Sequence, residues 1–130
     1  MSGERLRKDI MLKGRIALIV EEEFLIALDI QRMLENHDVE QTLFARSAGE
    51  AESLRARRPD IAVVEIRAED TASRQLVQEL NQAGVAVVLT TADARMRHGF
   101  PDMPGLAVVI KPVPEDAMAS AIEMALAARG

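Results

Sequence analysis

Five short apolar runs alternating with five helix-like stretches predict an α/β domain built on a doubly wound parallel sheet. Two further observations point the same way. The clearest apolar runs are continuous rather than alternating, as strands covered on both faces should be. The length of 130 residues suits one domain with a single core.

The first run is Ile16-Ala17-Leu18-Ile19-Val20, a buried strand. Glu22 to Glu35 follows, with Ile26, Ala27, Ile30, Met33 and Leu34 at helical spacing, and His37 and Asp38 end it. Val39 to Ala45 is a poorer strand because it contains Glu40 and Gln41, so it belongs at a sheet edge. Ser47 with Glu50 has the pattern of a capping box, which predicts a helix from Ala48 to about Arg57. Pro59-Asp60 breaks the chain before the third strand, Ile61 to Ile66. Thr71 to Ala83 is a helix carrying Leu76, Val77 and Leu80, and Gly84 stops it. Val85 to Thr90 is a fourth buried strand. From Ala92 to Gly105 the pattern weakens; Gly99, Pro101 and Pro104 predict a short or irregular helix. Leu106 to Ile110 is the fifth strand. Pro114 suits the first turn of a last helix with Met118, Ile122 and Leu126 on its inner side. Right-handed crossovers then lead to the flavodoxin-like strand order 2-1-3-4-5.

Composition narrows the function. Cysteine is absent, which excludes disulfides and thiolate metal sites and suits a reducing, cytoplasmic setting. Apolar runs fall short of the ~20 residues that span a bilayer. A net charge of −5 and the lack of Trp and Tyr argue against a nucleic-acid partner. Arg55, Arg57 and Arg58 read as the solvated end of a helix. Met1 to Gly14 reads as a tail without a signal peptide's apolar stretch, with Leu6, Ile10 and Met11 on one side of a loose helix. The domain then runs from Arg15 to Gly130. His37 and His98 have no carboxylate or metal partner in sequence and are expected at the surface; Met33, Met118 and Met124 are expected in the core.

In doubly wound sheets the functional crevice lies at the carboxyl ends of the strands. The first strand ends in Glu21-Glu22-Glu23, the third at Glu65, the fourth at Thr90-Thr91 and the fifth at Lys111-Pro112. A carboxylate emerging from a buried strand needs a partner to stay charged. Lys111 is the first candidate for Glu65. A divalent cation held by Glu22 and Glu65 is the second, since hard cations take oxygen ligands.

These four strand ends together resemble the receiver domain of bacterial response regulators, of which CheY is the familiar example. Ile19-Val20-Glu21-Glu22-Glu23 is similar to the acidic motif that holds Mg²⁺, with Glu22 where aspartate is usual. Asp60-Ile61-Ala62-Val63-Val64-Glu65-Ile66 is similar to the phosphoacceptor strand, with Glu65 at the position of the acceptor aspartate. Leu89-Thr90-Thr91-Ala92 places Thr91 at the switch position, and Ile110-Lys111-Pro112 supplies the lysine. The resemblance covers Arg15 to Arg129 and implies a cis peptide before Pro112.

Departures from the pattern shape the expected function. Glu65 is one methylene longer than aspartate and sets its carboxylate roughly 1.5 Å further out, a displacement on the scale that costs ~100-fold at a reacting centre. Glu22 adds the same length from the opposite side. Val108 stands where many receivers carry a switching aromatic residue. The expectation is a standalone, atypical receiver in two-component or phosphorelay signalling, not an enzyme, acting by protein contact without normal phosphorylation. Its partners would be a histidine kinase, a phosphotransfer protein or a downstream regulator, through the first helix or the face made by the fourth helix, fifth strand and fifth helix; the sequence is also compatible with a homodimer. The alternatives are a working phosphoacceptor at Glu65 and a small metal-dependent hydrolase. A glutamate-lined first turn disfavours nucleotide binding, because it would repel phosphate.

Overall fold

In the computed structural model, which describes residues 11–129, strands β1 (Ile16–Val20), β2 (Gln41–Ala45), β3 (Ile61–Glu65), β4 (Ala86–Thr91) and β5 (Ala107–Ile110) form one sheet. Every pairing is parallel and the order is β2-β1-β3-β4-β5. This is the predicted fold class, with β2 at an edge as its polar residues required. Helices α1 (Phe24–Glu35), α2 (Ala48–Leu54), α3 (Thr71–Gln82) and α4 (Glu115–Ala127) cover the two faces.

The core is two-layered. On one face Leu18, Val20, Ala62 and Val64 pack against Ala51 of α2 and Leu76, Val77 and Leu80 of α3. On the other, Ala17, Ile19, Ile61 and Val63 pack against Ile30 and Leu34 of α1 and Met118 and Ile122 of α4. Burial on both sides is what makes the strands read as continuous apolar runs.

Local chemistry decides where elements begin and end. The predicted start of the first helix at Glu22 moves to Phe24. The Glu21 carboxylate accepts from the Glu23 amide at 2.9 Å and Glu23 stays extended, so helical geometry begins after it. Ser47 caps α2 by accepting from the Glu50 amide at 3.2 Å, while the Glu50 carboxylate returns to the Arg46 amide rather than to Ser47. Helix α2 stops at Leu54 and passes through a 3₁₀ turn, Arg55–Arg57, into Arg58 at φ 54°. Pro59 next in sequence disfavours right-handed helical geometry at Arg58. Asp70 caps α3 by accepting from the Ser73 amide at 3.0 Å, a cap the sequence reading missed. Gly84 follows α3 at φ 86°, where a side chain would be strained. The weak stretch after β4 holds a 3₁₀ turn at Ala94–Met96 instead of a fifth α-helix. Pro114 lies one residue before α4 in extended geometry, outside its first turn.

Three placements differ from expectation. Leu12 is fully buried in the α1–α4 layer and Lys13 bridges to Val39, so the packed body begins before Arg15. His37 is 8% exposed rather than a surface residue; its carbonyl accepts from the Leu12 amide at 2.9 Å, and that docking covers it. Met124 is 61% exposed, because α4 turns Met118, Ala121, Ile122 and Ala125 inward instead. The loose helix expected over Leu6 and Ile10 lies outside the described residues.

Candidate functional site

Glu21, Glu65 and Lys111 continue one face of the sheet past its last buried layer. Ala17 and Ile19, Ile61 and Val63, and Ala107 and Val109 all face the α1–α4 layer. Two residues further along each strand, side chains return to that same face. The strand hydrogen bonding extends to this rim: Glu21 N donates to Ala45 O at 3.0 Å, and Lys111 N to Thr91 O at 2.8 Å. The peptide bond between Lys111 and Pro112 is cis.

The side chains then form an alternating line of charge. Lys111 Nζ donates to Glu65 Oε2 at 2.5 Å and to Glu21 Oε2 at 3.4 Å, and lies 3.1 Å from Glu21 Oε1. Arg67 Nη2 pairs with Glu22 Oε2 and lies 3.7 Å from Glu65 Oε1. The order across the rim is Glu21, Lys111, Glu65, Arg67, Glu22. Its inner members are sheltered, with Glu21 only 3% exposed, whereas Glu22 and Arg67 are half in solvent.

Burial and charge act on each group in opposition. Burial raises the Glu21 pKa above the ordinary carboxylate value, and the Glu23 amide and Lys111 only partly counter it. At Glu65 burial also works upward, but the hydrogen bond and charge of Lys111, helped by Arg67, outweigh it and the net shift is downward. Desolvation would lower the Lys111 pKa, yet the two carboxylates raise it overall. Glu65 is therefore held as a carboxylate and Lys111 as an ammonium ion. The charge of Glu65, followed by the Glu22 contact, raises the Arg67 pKa.

The predicted site residues thus come together unevenly. Glu65 and Lys111 meet as expected. Glu21 takes the inner acidic position, and Glu22 turns outward onto Arg67. The Thr91 hydroxyl accepts from the Asp93 amide at 3.1 Å, so it serves the turn after β4, while Thr91 O positions Lys111 through the backbone. Thr90, registered opposite Glu65, is fully buried, and its hydroxyl has no hydrogen-bond partner among the described residues. Sequence reasoning missed Arg67. A basic residue two positions after a strand-end carboxylate was the available signal.

A Mg²⁺ ion, which the resemblance implies, would need carboxylate oxygens free to ligate it. Here Glu21 and Glu65 are engaged by Lys111, and Glu22 by Arg67. Among the described residues no group of three or more acidic, His or Cys side chains is arranged to hold a metal ion. The donor set as folded does not fit the ion. A cleft of about 190 Å³ opens beside Glu22, Glu65, Arg67, Ser47 and Asp70, smaller than the usual ~300–1,000 Å³ of a small-molecule site. Among the described residues no helix is long and apolar enough to cross a membrane.

Solved structures share this architecture. The response regulator PhyR from Brucella abortus aligns over 95% of this chain and 53% of its own, at 28% identity and a TM-score of 0.76. The anti-anti-sigma factor PhyR from Bartonella quintana aligns over 98% of this chain and 54% of its own, at 26% identity and a TM-score of 0.77. The REC domain of the Erythrobacter litoralis PhyR response regulator aligns over 89% and 92%, at 25% identity and a TM-score of 0.69. The chain therefore spans about half the length of the first two and most of the third. No family model matches the chain, and no curated protein does. In strand order, in strand-end chemistry and in the structures that share its fold, the chain is similar to the CheY-like receiver domains of response regulators.

Proposed function

We infer that this receiver works in two-component or phosphorelay signalling by binding another protein, with the Glu65–Lys111 pair holding its rim in one state without phosphoryl transfer. The 2.5 Å contact between Lys111 Nζ and Glu65 Oε2 carries this reading. It commits the carboxylate that would have to attack a phosphodonor, and it supplies beside Lys111 a fixed negative charge of the kind an acyl phosphate would bring. The extra methylene of Glu65 and the cationic flank of Arg67 act in the same direction.

Two surfaces suit a partner. At the start of α1, beside the rim, Phe24 and Leu25 are 71% and 76% exposed, and Leu28 adjoins them. Along β5 and α4, a groove of about 650 Å³ runs past Phe100, Leu106, Val108 and Met124. Exposed apolar side chains grouped this way mark interaction sites. The partner class is a signalling protein: a kinase, a phosphotransfer protein or a downstream regulator. The name anti-anti-sigma factor carried by the Bartonella quintana neighbour supports a regulatory partner of that general class.

Intact mass after incubation with a small phosphodonor and Mg²⁺ tests the reading. The wild-type chain should gain no phosphoryl mass. A phosphoryl adduct at Glu65 would instead establish the phosphoacceptor alternative. Amide NMR of wild type, Glu65→Gln and Glu65→Asp supplies the second arm. Loss of the charge should shift signals beyond the rim, into β5 and α4, and identical spectra there would sink the idea that Glu65 sets the state.

A further inference from the structure

The Arg67 guanidinium stands between the two carboxylates that a divalent cation would bridge. Its Nη2 pairs with Glu22 and lies 3.7 Å from Glu65 Oε1. We propose that Arg67 is a built-in substitute for the divalent cation, occupying the cation position between Glu22 and Glu65 and keeping Mg²⁺ out of the pocket. The proposal deepens the signalling reading and rests on it only for the pocket's biological role.

Charge balance supports the assignment. Glu21, Glu22 and Glu65 bring three negative charges, and Lys111 and Arg67 bring two positive ones. The rim is within one charge of neutrality. A divalent ion added to it would leave excess positive charge and sit a few ångströms from a guanidinium and an ammonium, where like charges repel strongly. Without Arg67 the same rim would carry two net negative charges, matched to one divalent ion.

Geometry supports it as well. The Arg67 backbone is anchored: its carbonyl accepts from Arg74 Nη1 at 2.8 Å and from the Asp70 amide at 3.2 Å. The loop thus presents the guanidinium from a fixed root. On the inner side, Glu21 is buried and its Oε1, though 3.1 Å from Lys111 Nζ, makes no hydrogen bond. That oxygen lies beyond Lys111 from the guanidinium, so the outer position falls to Glu22 and Glu65 alone.

Admitting an ion requires Arg67 to swing into solvent and give up the Glu22 contact. A half-exposed ion pair of this type holds by up to about 1 kcal/mol, which corresponds to about fivefold in affinity. The consequence is a signalling surface whose state does not follow the Mg²⁺ concentration.

The test is a Mg²⁺ titration of the whole chain followed by amide NMR, with Mn²⁺ broadening to locate the ion. Wild type, Arg67→Ala, Arg67→Lys and the double variant Arg67→Ala/Glu22→Gln are compared. Arg67→Ala should gain a saturable response around Glu22 and Glu65, up to about fivefold tighter than wild type. Arg67→Lys should stay close to wild type, and the double variant should lose what Arg67→Ala gained. Signals of the β1 and β3 interior serve as the fold control, since Arg67 lies on an exposed loop. Equal affinity in wild type and Arg67→Ala, or no saturable response in either, overturns the proposal. Either failure leaves the phosphodonor and Glu65 results untouched, so the two readings fail separately.

Discussion

The ammonium of Lys111 meets the carboxylate of Glu65 at 2.5 Å, although 46 residues separate them in sequence and β4 lies between their strands. One cation thereby serves two sheltered acids, since Glu21 lies on its other side at 3.1 Å. The pair is a structural support, and with Glu21 it leaves the inner rim one net negative charge.

Replacing Lys111 with Met should therefore be costly. It leaves Glu21 and Glu65 sheltered without their shared cation, and breaking a buried pair by removing one partner typically costs ~3–5 kcal/mol. Urea unfolding should show a loss of about 3 kcal/mol, recovered in part by adding Glu21→Gln, which removes the carboxylate left unpaired. A Lys111→Met chain as stable as wild type would mean the pair contributes nothing.

Stability should also follow pH through these groups. The Glu65 pKa is lowered in the fold, so its contribution is present above the ordinary value of 4.5 and is lost as pH falls through the folded value. Glu21 has the opposite sign. Its raised pKa means the folded state holds that proton more tightly, so ionised Glu21 opposes folding above the raised value and protonation relieves it as pH falls. Lys111 contributes fully below its ordinary 10.5 and loses the contribution as pH rises through its raised folded value. In chemical unfolding across pH, Glu65→Gln should be weaker than wild type at neutral pH and flatter below 4.5, whereas Glu21→Gln should gain at neutral pH. A Glu65→Gln curve parallel to wild type through the acid range would contradict the assignment.

Leu12 tests where the packed body begins. It is fully buried against the α1–α4 layer, ahead of the first strand. Leu12→Ala should cost about 2–5 kcal/mol in unfolding free energy, the range for a leucine removed from a close-packed core. A change under about 0.5 kcal/mol, typical of a surface position, would place the segment outside the cooperative unit.

Much of the rim was legible in the sequence. Glu65 and Lys111 stand at the ends of unmistakable apolar runs, and the parallel topology has only one edge on which those ends can gather. The edge position of β2 followed from Glu40 and Gln41. The division of labour among Glu21, Glu22 and Glu65 was not legible. Strands buried on both faces carry no alternation, so the run Ile16 to Val20 does not reveal which layer each residue faces or which following glutamate turns inward. Arg67 was missed for a related reason: a loop arginine declares its partner only when the loop has a path. His37 and Met124 were misplaced because isolated side chains take their burial from neighbours distant in sequence.

The order of apolar runs, breakers and strand-end charges by itself determined the α/β class, the strand order and the edge where the charged residues collect, because periodicity and chain connectivity are local properties that admit few packings. Tertiary structure alone decided that Glu21 is the sheltered acid, that Lys111 bridges two carboxylates, and that Arg67 closes the outer side. Those outcomes depend on side-chain reach and on the competition between desolvation and pairing, which exists only once the strand ends stand side by side.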